Sequence, residues 1–251
     1  MSPPSSRGAD VRAPRVLVAG AAVALLLPLS TYAGAAAPRF TAETLTPGPE
    51  RYVVRIGLVG AVTIRAQAPS DGQPLDLNRR EILVQPGTRP SRDQSVCATW
   101  TDQSRDLDQE GLAVRFRVGP GDRRRAVTLT KNTYGNYVWV FNLVTWDTRR
   151  SGEPWRSFGQ FDLSPVVSSN LRLLPFPWRV CLRAQGSRVD FKIWLPRREP
   201  EPSWTDPVHT RSATVPHRFE GPGVPGWYVG HLRPGDHVTY TDLRARTLRS
   251  G

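Results

Sequence analysis

The sequence predicts an all-β protein with an antiparallel two-sheet sandwich, and three features carry that prediction. Turns rich in Pro and Gly recur roughly every ten residues after position 45. Between the turns lie short segments in which apolar and polar residues alternate, which is the period of a half-buried strand. No amphipathic helical pattern is found in residues 38–248. Many short strands joined by frequent turns are typical of all-β sandwiches or barrels.

The alternation assigns a face to each residue of the early and middle strands. Leu112, Val114 and Phe116 are predicted on the core side of one strand. Arg115 and Arg117 are predicted on its other face. The segment 136–146 is nearly continuous in β-forming residues. Its heavier apolar face is expected in the core and consists of Tyr137, Trp139, Phe141 and Leu143.

The segments 178–184 and 188–194 predict two further strands joined by a short turn. Val189, Phe191 and Ile193 are expected in the core. The residues expected to face away from the core are Arg179, Cys181, Arg183, Arg188, Asp190, Lys192 and Trp194.

Two regions at the ends of the predicted domain are assigned from their glycines and turns. In residues 50–85 the alternation is broken by Gly57 and Gly60, which predicts a bulge in strands of the same sandwich. Near the end of the chain, the turn Arg233–Asp236 separates two alternating segments and predicts a β-hairpin. In such a hairpin the side chains of His231 and His237 would face opposite sides.

The first 36 residues are predicted to be a secretory signal peptide. Three Arg precede the apolar run 16–30, and small residues follow it, with cleavage expected near Ala35 or Ala36. An uncleaved membrane anchor is the alternative, although the run is short for a spanning helix. The predicted domain then covers residues 38–248, without a further transmembrane segment, and the protein is expected to be secreted or associated with the cell envelope.

Export also bears on the two cysteines, Cys97 and Cys181. An oxidising compartment favours a disulfide between them. Two buried free thiols are the alternative.

The formal net charge is +12, and nearly all of the positive charge comes from Arg. Such a surface favours anionic partners such as acidic polysaccharide or phosphate-bearing envelope polymers. Nucleic acid is not expected as a partner, because no recognition motif is present and the basic residues are scattered. The acid-rich stretch Asp106–Glu110 is expected to be a solvated turn.

From about residue 96 to 248 the pattern resembles the concanavalin A-like (laminin-G-like) jelly-roll superfamily. The stretch "WRVCLRAQGSRVDFKIWLPRREPEPSW" resembles its central hairpin and a following extension rich in Pro and Glu. The ending "GWYVGHLRPGDHVTYTDLRA" resembles its closing strands, and "QEGLAVRFRV" fits an early strand. The resemblance implies a two-sheet jelly roll with curved sheets, in which ligands lie on the concave face or at the rim loops.

The motifs do not favour catalysis. Many glucanases of this superfamily carry Glu-x-Asp-x-x-Glu on one strand, and neither this motif nor a Gly-x-Ser-x-Gly nucleophile elbow occurs here. Asp242 resembles an acidic position that helps to hold calcium in some relatives, but no companion carboxylate is near it in sequence. No cofactor and no metal are therefore expected.

Binding remains the leading hypothesis. The candidate ligand-binding residues on the predicted outward faces are Asn142, Trp146, Arg183, Asp190, Lys192 and Trp194. An indole can stack on the apolar face of a pyranose while amide and charged groups bond its hydroxyls. The alternative is structural: residues 154–158 would cover Trp146, and Trp194 would pack against Trp204 under the extension. An open groove at either tryptophan favours binding, and a loop packed over both favours a scaffold.

The sequence therefore predicts a secreted, non-catalytic domain that binds cell-envelope or extracellular carbohydrate, anionic carbohydrate included. Two other functions stay open: a glycan-active hydrolase with an unrecognised pair of acids, and a structural or protein-interaction module.

Overall fold

The computed structural model describes residues 39–57, 60–70, 72, 77–134 and 138–248, and the predicted signal peptide lies outside them. Within that part of the chain the strands are β1 (Thr41–Thr46), β2 (Arg51–Ile56), β3 (Val62–Gln67), β4 (Arg80–Val84), β5 (Gln94–Gln103), β6 (Gln109–Gly119), β7 (Arg123–Tyr134), β8 (Val138–Asp147), β9 (Trp155–Asp162), β10 (Ser168–Ser169), β11 (Arg172–Leu173), β12 (Trp178–Gln185), β13 (Arg188–Trp194), β14 (Thr210–Thr214), β15 (Val224–Gly230) and β16 (His237–Thr247). The helical elements are the four-residue helix α1 (Ser164–Val167) and the 3-10 turns Pro120–Asp122 and His217–Phe219. None of these helices has the length and hydropathy that a bilayer span requires.

The strands form two seven-stranded antiparallel sheets, which confirms the predicted sandwich. Sheet A has the order β1-β4-β15-β6-β7-β8-β9. Sheet B has the order β14-β13-β12-β5-β16-β3-β2. Consecutive strands such as β15 and β16 lie in different sheets, so the chain crosses repeatedly between the layers, and β10 and β11 pair separately.

Apolar side chains from the inward faces of both sheets fill the space between them. Trp100 of sheet B is fully buried and stacks on Phe141 of sheet A, with ring centroids 6.2 Å apart. Phe141 also contacts Phe191 of β13 at 6.1 Å. Trp139, Phe141 and Leu143 belong to this core as the alternation predicts, whereas Tyr137 lies outside the described residues. Burying such aromatic pairs provides both apolar area and specific ring geometry.

Sheet A is strongly curved, and its outer face is concave. Arg124 of β7 bonds Glu43 of β1 at 3.2 Å, although three strands separate these two. In a flat sheet the backbones would be about 19 Å apart, too far for these side chains to meet. The curvature therefore brings side chains from distant strands together over one face.

The predicted disulfide is present in sheet B. Cys97 of β5 and Cys181 of β12 are directly opposite each other in the antiparallel register, with Cα atoms 4.1 Å apart. The bond joins positions 84 residues apart in sequence and lies on the outer side of the sheet.

The prediction for β6 fails after Val114 because of a bulge. Its register to β7 shifts between Val114 and Arg117, and Arg115 has a left-handed φ of 56°. Leu112 and Val114 face the core, but Phe116 packs in a second cluster on the concave side. Arg115 is buried rather than outward, and its guanidinium donates to the carbonyls of Arg92 and Gly186.

Two of the turn predictions are also wrong. Gly57 and Gly60 do not mark a bulge; they belong to the turn of the β2–β3 hairpin, in which Gly57 N–H donates to Ala61 O at 2.8 Å. The turn Arg233–Asp236 does not close a hairpin. It carries the chain from β15 in sheet A to β16 in sheet B, so the flanking strands do not pair.

The stretch Asp106–Glu110 is not a solvated turn throughout. Asp108 and Glu110 are fully buried. Glu110 accepts a bond from the buried amine of Lys131 at 3.0 Å. Burial raises the pKa of Glu110, although Lys131 opposes the shift. An enclosed ion pair of this kind is costly to break, because either partner alone would be a buried uncompensated charge.

We expect the disulfide to stabilise the domain. In the chain-entropy picture, closing a loop of this length contributes about 4 kcal/mol, so the variant Cys97→Ala/Cys181→Ala should lose about that much unfolding free energy. Urea unfolding with and without reductant measures the loss. Reductant should lower the stability of the wild type and leave the double variant unchanged. A loss below about 1 kcal/mol would contradict a stabilising role for the bond.

Candidate functional site

Two open surfaces lie on opposite sides of the sandwich. The first, here called the concave groove, is on the outer face of sheet A and encloses about 410 Å³. The residues that line it are Arg80, Gln109, Thr130, Asn132, Asn142, Val144, Trp146, Trp155, Ser157, Gln160, Tyr228 and His231. The second, here called the disulfide pocket, is on the outer face of sheet B, over Cys97 and Cys181, and encloses about 550 Å³.

Aromatic side chains form the floor of the concave groove. Trp146 of β8 is 2 % exposed and lies 6.1 Å from the Tyr228 ring of β15. The Trp146 indole N–H donates to Thr128 Oγ1 at 2.8 Å, so its polar atom is satisfied by the sheet itself. Gly111 on β6 makes room for Tyr228, because a Cβ there would approach the ring to 2.9 Å. The floor is therefore fixed by packing before any ligand arrives.

Amide and hydroxyl groups are linked along the floor by hydrogen bonds. Tyr228 donates through its hydroxyl to Gln109 Oε1 at 2.9 Å. The Gln109 amide donates to Asn132 Oδ1, and the Asn132 amide donates to Thr130 Oγ1 at 3.2 Å. Side-chain orientation along this row is set by the network, which preorganises the donors and acceptors that face the groove.

Arg80 closes one side of the groove. Its guanidinium carbon lies 5.7 Å from the Trp146 ring centre, and one terminal nitrogen donates to His231 Nε2 at 2.7 Å. The other terminal nitrogen donates to Asn78 O and Thr46 Oγ1. His231 in turn donates from Nδ1 to Leu77 O at 2.7 Å. These bonds hold a positive charge over the aromatic floor.

Burial and the neighbouring Arg80 lower the pKa of His231 to about 4. Burial also raises the pKa of Tyr228. Both groups are consequently neutral near pH 7, and Arg80 is the charged residue of the described groove lining. That lining includes no carboxylate, so it lacks the acid pair of a two-carboxylate hydrolase.

The opposite side of the groove is more accessible. Trp155 of β9 is half-buried and lies directly across from Trp146 in the register of β8 and β9. Ser157 and Gln160 on the same strand are exposed. Trp155 therefore offers an indole at the surface of the groove, with hydroxyl and amide groups beside it.

On sheet B, the segment 195–209 folds over the predicted outward residues. Lys192 is 2 % exposed and donates to Glu201 Oε1 at 2.7 Å and to Pro202 O at 2.6 Å. Its amine lies 5.3 Å from the Trp194 ring and 4.7 Å from the Trp204 ring. Trp194 is 4 % exposed, although its edge lines the disulfide pocket.

The remaining polar residues of this face are engaged with one another. Asp190 is buried and accepts bonds from Arg183 at 2.9 Å and from Arg188 at 2.6 Å. Bonds from Ser212 and these two guanidinium groups lower the pKa of Asp190, although its burial acts in the opposite direction. Arg183 also lies 4.3 Å from the Trp204 ring.

The six candidate residues therefore do not share one surface. Asn142 and Trp146 line the concave groove. On the other side of the sandwich, Trp194 lies in the disulfide pocket and the remaining three lie under or beside the segment 195–209: Arg183, Asp190 and Lys192. Both tryptophans are buried: Trp146 lies under the concave groove with Trp155 beside it, and Trp194 borders the disulfide pocket next to the segment 195–209.

Asp242 and the histidines do not assemble a metal site. Asp242 bonds Arg179 at 2.9 Å and Arg244 at 2.8 Å. His231 and His237 are held by separate partners, Arg80 and Asp102 respectively. Within the described part of the chain, no group of three or more His, Cys, Asp or Glu is placed to hold a metal ion.

The sequence did not predict most of the residues that line the groove, because these residues come from strands far apart in the chain. Arg80, Gln109, Gln160 and Tyr228 belong to four different strands. One signal was available: the alternation in β15 places Trp227 inside and Tyr228 outside. Joining these residues in one groove requires the strand order of sheet A, which no local pattern contains.

The depressed pKa of His231 has a consequence for stability. Between about pH 4 and about pH 6.5, His231 binds fewer protons in the folded state than in the unfolded state. The contribution of His231 is therefore complete above about pH 6.5 and is lost as the pH falls towards 4. The unfolding free energy of His231→Gln should fall less steeply than that of the wild type across this window. Urea titrations at several pH values measure the unfolding free energy of both proteins. If this free energy falls equally steeply with pH in the variant and the wild type, the burial of a neutral imidazole is contradicted.

Comparison with known proteins identifies the fold. No family model matches the sequence. No curated protein is similar to it in sequence either. A protein of unknown function with a galectin-like fold from Bacillus subtilis superposes with a TM-score of 0.50 at 11% identity, covering 84% of this chain and 96% of its own.

Two further solved structures are similar with lower scores. The exoplasmic/lumenal domain of VIP36 in its Ca2+/Man3GlcNAc-bound form has a TM-score of 0.48 at 11% identity and covers 83% of this chain and 90% of its own. The carbohydrate binding module CBM66 from Bacillus subtilis has a TM-score of 0.46 at 9% identity and covers 81% and 97%. This chain therefore has the fold of the galectin-like protein, a jelly-roll sandwich of two antiparallel sheets, as the resemblance to the concanavalin A-like lectin fold predicts.

Proposed function

We propose that this protein is an exported domain that binds carbohydrate in the concave groove. The observation that carries the proposal is the combination of an accessible indole, Trp155, with a preorganised row of amides and hydroxyls above a fixed aromatic floor. A sugar ring presents an apolar face and an edge of hydroxyls, and this arrangement is complementary to both. Export is supported by the signal-like residues 1–36 and by the disulfide.

The groove is favoured over the disulfide pocket as the ligand site. In the disulfide pocket, Arg179 and Arg244 both pair with Asp242, and Glu201 is paired with Lys192. A ligand there would have to compete with these ion pairs. In the concave groove, the side chains of Ser157 and Gln160 are exposed, although the Ser157 hydroxyl donates to Gly159 O at 3.2 Å. A ligand can therefore bond these two groups without breaking an ion pair.

Within this proposal, the ligand class includes anionic sugars. Arg80 supplies positive charge at the groove wall, and no carboxylate of the described lining offsets it. A uronate or a sugar phosphate can therefore gain a charge-assisted interaction that a neutral sugar lacks.

We expect Trp155→Ala to weaken glycan binding about tenfold, which corresponds to about 1.4 kcal/mol, because it removes the accessible stacking surface. A glycan array at low ionic strength identifies ligands, and calorimetry on the best of them measures the affinity. Trp204→Ala is the matched control, since it removes a half-buried indole from the other side of the sandwich. Binding that is lost in Trp204→Ala and kept in Trp155→Ala would move the site to sheet B. An array without any bound glycan would refute the proposal.

The contribution of charge is tested separately. Arg80→Gln should reduce the preference for a uronate-containing oligosaccharide over its neutral counterpart, and raising the salt concentration should do the same in the wild type. Calorimetry with the matched pair of sugars measures both effects. An unchanged preference would refute an anionic ligand while leaving binding of neutral glycans intact.

A further inference from the structure

Three side chains at one end of sheet B form a hydrogen-bonded chain outside both surfaces described above. Asp102 lies near the end of β5, Ser104 directly follows this strand, and His237 begins β16. Pairing of the two strands brings them together. Ser104 N–H donates to His237 O at 2.9 Å, and His237 N–H donates to Ser104 Oγ at 2.8 Å.

The imidazole of His237 connects the serine to the carboxylate. Its Nε2 lies 2.8 Å from Asp102 Oδ2, and its Nδ1 lies 2.7 Å from Ser104 Oγ. An ionised carboxylate only accepts hydrogen bonds, so the neutral ring carries its proton on Nε2 and leaves Nδ1 as the acceptor. Because Nδ1 carries no proton in this tautomer, the Ser104 hydroxyl donates to it, while Ser104 Oγ accepts from the His237 backbone N–H.

The order of these hydrogen bonds is the one found in activated serine nucleophiles, here with an Asp102 side chain that is 59 % exposed. A hydroxyl bonds a basic imidazole, which a carboxylate orients from the other side. The two ring nitrogens are used in the reverse sense from the familiar Ser-His-Asp hydrolases, in which Nε2 faces the serine. Either nitrogen of a neutral imidazole can take up a proton, so the reversal preserves the chemistry.

The chain is accessible, and a cation lies beside it. Ser104 is exposed, and the side chain of His237 is 23 % exposed. Arg65 of β3 is the register partner of His237, and one guanidinium nitrogen donates a longer bond of 3.4 Å to Nδ1, beside the bond from Ser104. Another bonds Gly235 O at 2.6 Å, which fixes the guanidinium in this position. A fixed cation next to the nucleophile can stabilise the negative charge of a tetrahedral intermediate.

We propose that Ser104, His237 and Asp102 form an esterolytic site that cleaves carboxylic esters. Ser104 Oγ forms a bond to the ester carbonyl carbon while its proton moves to His237 Nδ1. The bond from that carbon to the alkoxy oxygen then breaks, and the leaving alkoxide takes the proton from Nδ1. Water attacks the resulting acyl-serine with His237 again as the base, and the carboxylic acid and free serine are released. Arg65 faces the oxyanion, and Asp102 is a positioning residue for the imidazole.

This activity does not depend on carbohydrate binding in the concave groove, because the two sites share no residue. Trp155→Ala should therefore leave ester hydrolysis unchanged, and Ser104→Ala should leave glycan binding unchanged. If the role is only structural, the same hydrogen bonds join β5 to β16. Substitutions would then lower the unfolding free energy, and Ser104 would not react.

The direct test uses the intact protein and a fluorophosphonate probe, followed by peptide mass mapping. We expect the label on Ser104 and hydrolysis of p-nitrophenyl acetate by the unlabelled protein. Ser104→Ala and His237→Gln should lower that rate at least about 100-fold. Ser203→Ala is the control: Ser203 is an exposed serine that bonds Thr205 instead of a histidine. It should retain the full rate.

Asp102→Asn tests positioning, and should lower kcat with little change in KM and alter the pH dependence of kcat/KM. Mapping on the wild type keeps the test decisive even if a variant is less stable. Absence of label from Ser104, or a rate in Ser104→Ala equal to that of the wild type, would overturn the proposal.

Discussion

The packing of Trp100 between the two sheets is the constraint on which the other features depend. Its ring is fully buried and contacts Phe141 of the opposite sheet, as well as Trp178 and Tyr240 of its own. A strand has a period of two residues, so fixing Trp100 inside places Thr99 and Cys97 outside. In the same way, Phe141 inside places Asn142 outside. The outward surfaces are therefore a consequence of how the core is filled.

The two outer faces differ because sheet A is curved, whereas part of sheet B is covered by the segment 195–209. Curvature of sheet A brings Arg80 from β4 over Trp146 on β8 and leaves a groove between the two sides of the face. On sheet B, the segment 195–209 lies over β12 and β13 near one edge of the sheet, where Lys192 is neutralised by Glu201. Burying a lysine requires such a partner, so the acidic residues of the segment explain how it can lie over a basic strand. The Pro- and Glu-rich extension thus covers part of β12 and β13, next to the disulfide pocket, and the aromatic groove lies on sheet A.

Local patterning was sufficient for the fold class and for most inward-facing residues. Alternation placed Trp139, Phe141 and Leu143 inside, and the two cysteines paired as predicted. It failed where one extra residue resets the period, as at Arg115, whose left-handed backbone shifts the register of β6. It failed again at the turn Arg233–Asp236, because the sequence of a turn does not say whether the next strand joins the same sheet.

The candidate site was only partly predictable for a related reason. Periodicity predicts that Asn142 and Trp194 both face outward, but it does not determine the sheet to which each strand belongs. Arg80, Gln109 and His231 reach the groove only through the order of strands in sheet A, and Ser104 reaches His237 only through the pairing of β5 with β16. These are contacts between positions far apart in the chain, and a single sequence contains no local signal for them.

We expect ligands to bind in the concave groove of sheet A and not in the disulfide pocket of sheet B. Tryptophan indole N–H signals in a heteronuclear NMR titration with a bound oligosaccharide test it most directly. We expect the Trp155 signal, assigned by its loss in Trp155→Ala, to shift with saturation, while the Trp194 and Trp204 signals stay in place. Shifts confined to Trp194 and Trp204 would contradict binding in the concave groove and place the ligand on sheet B.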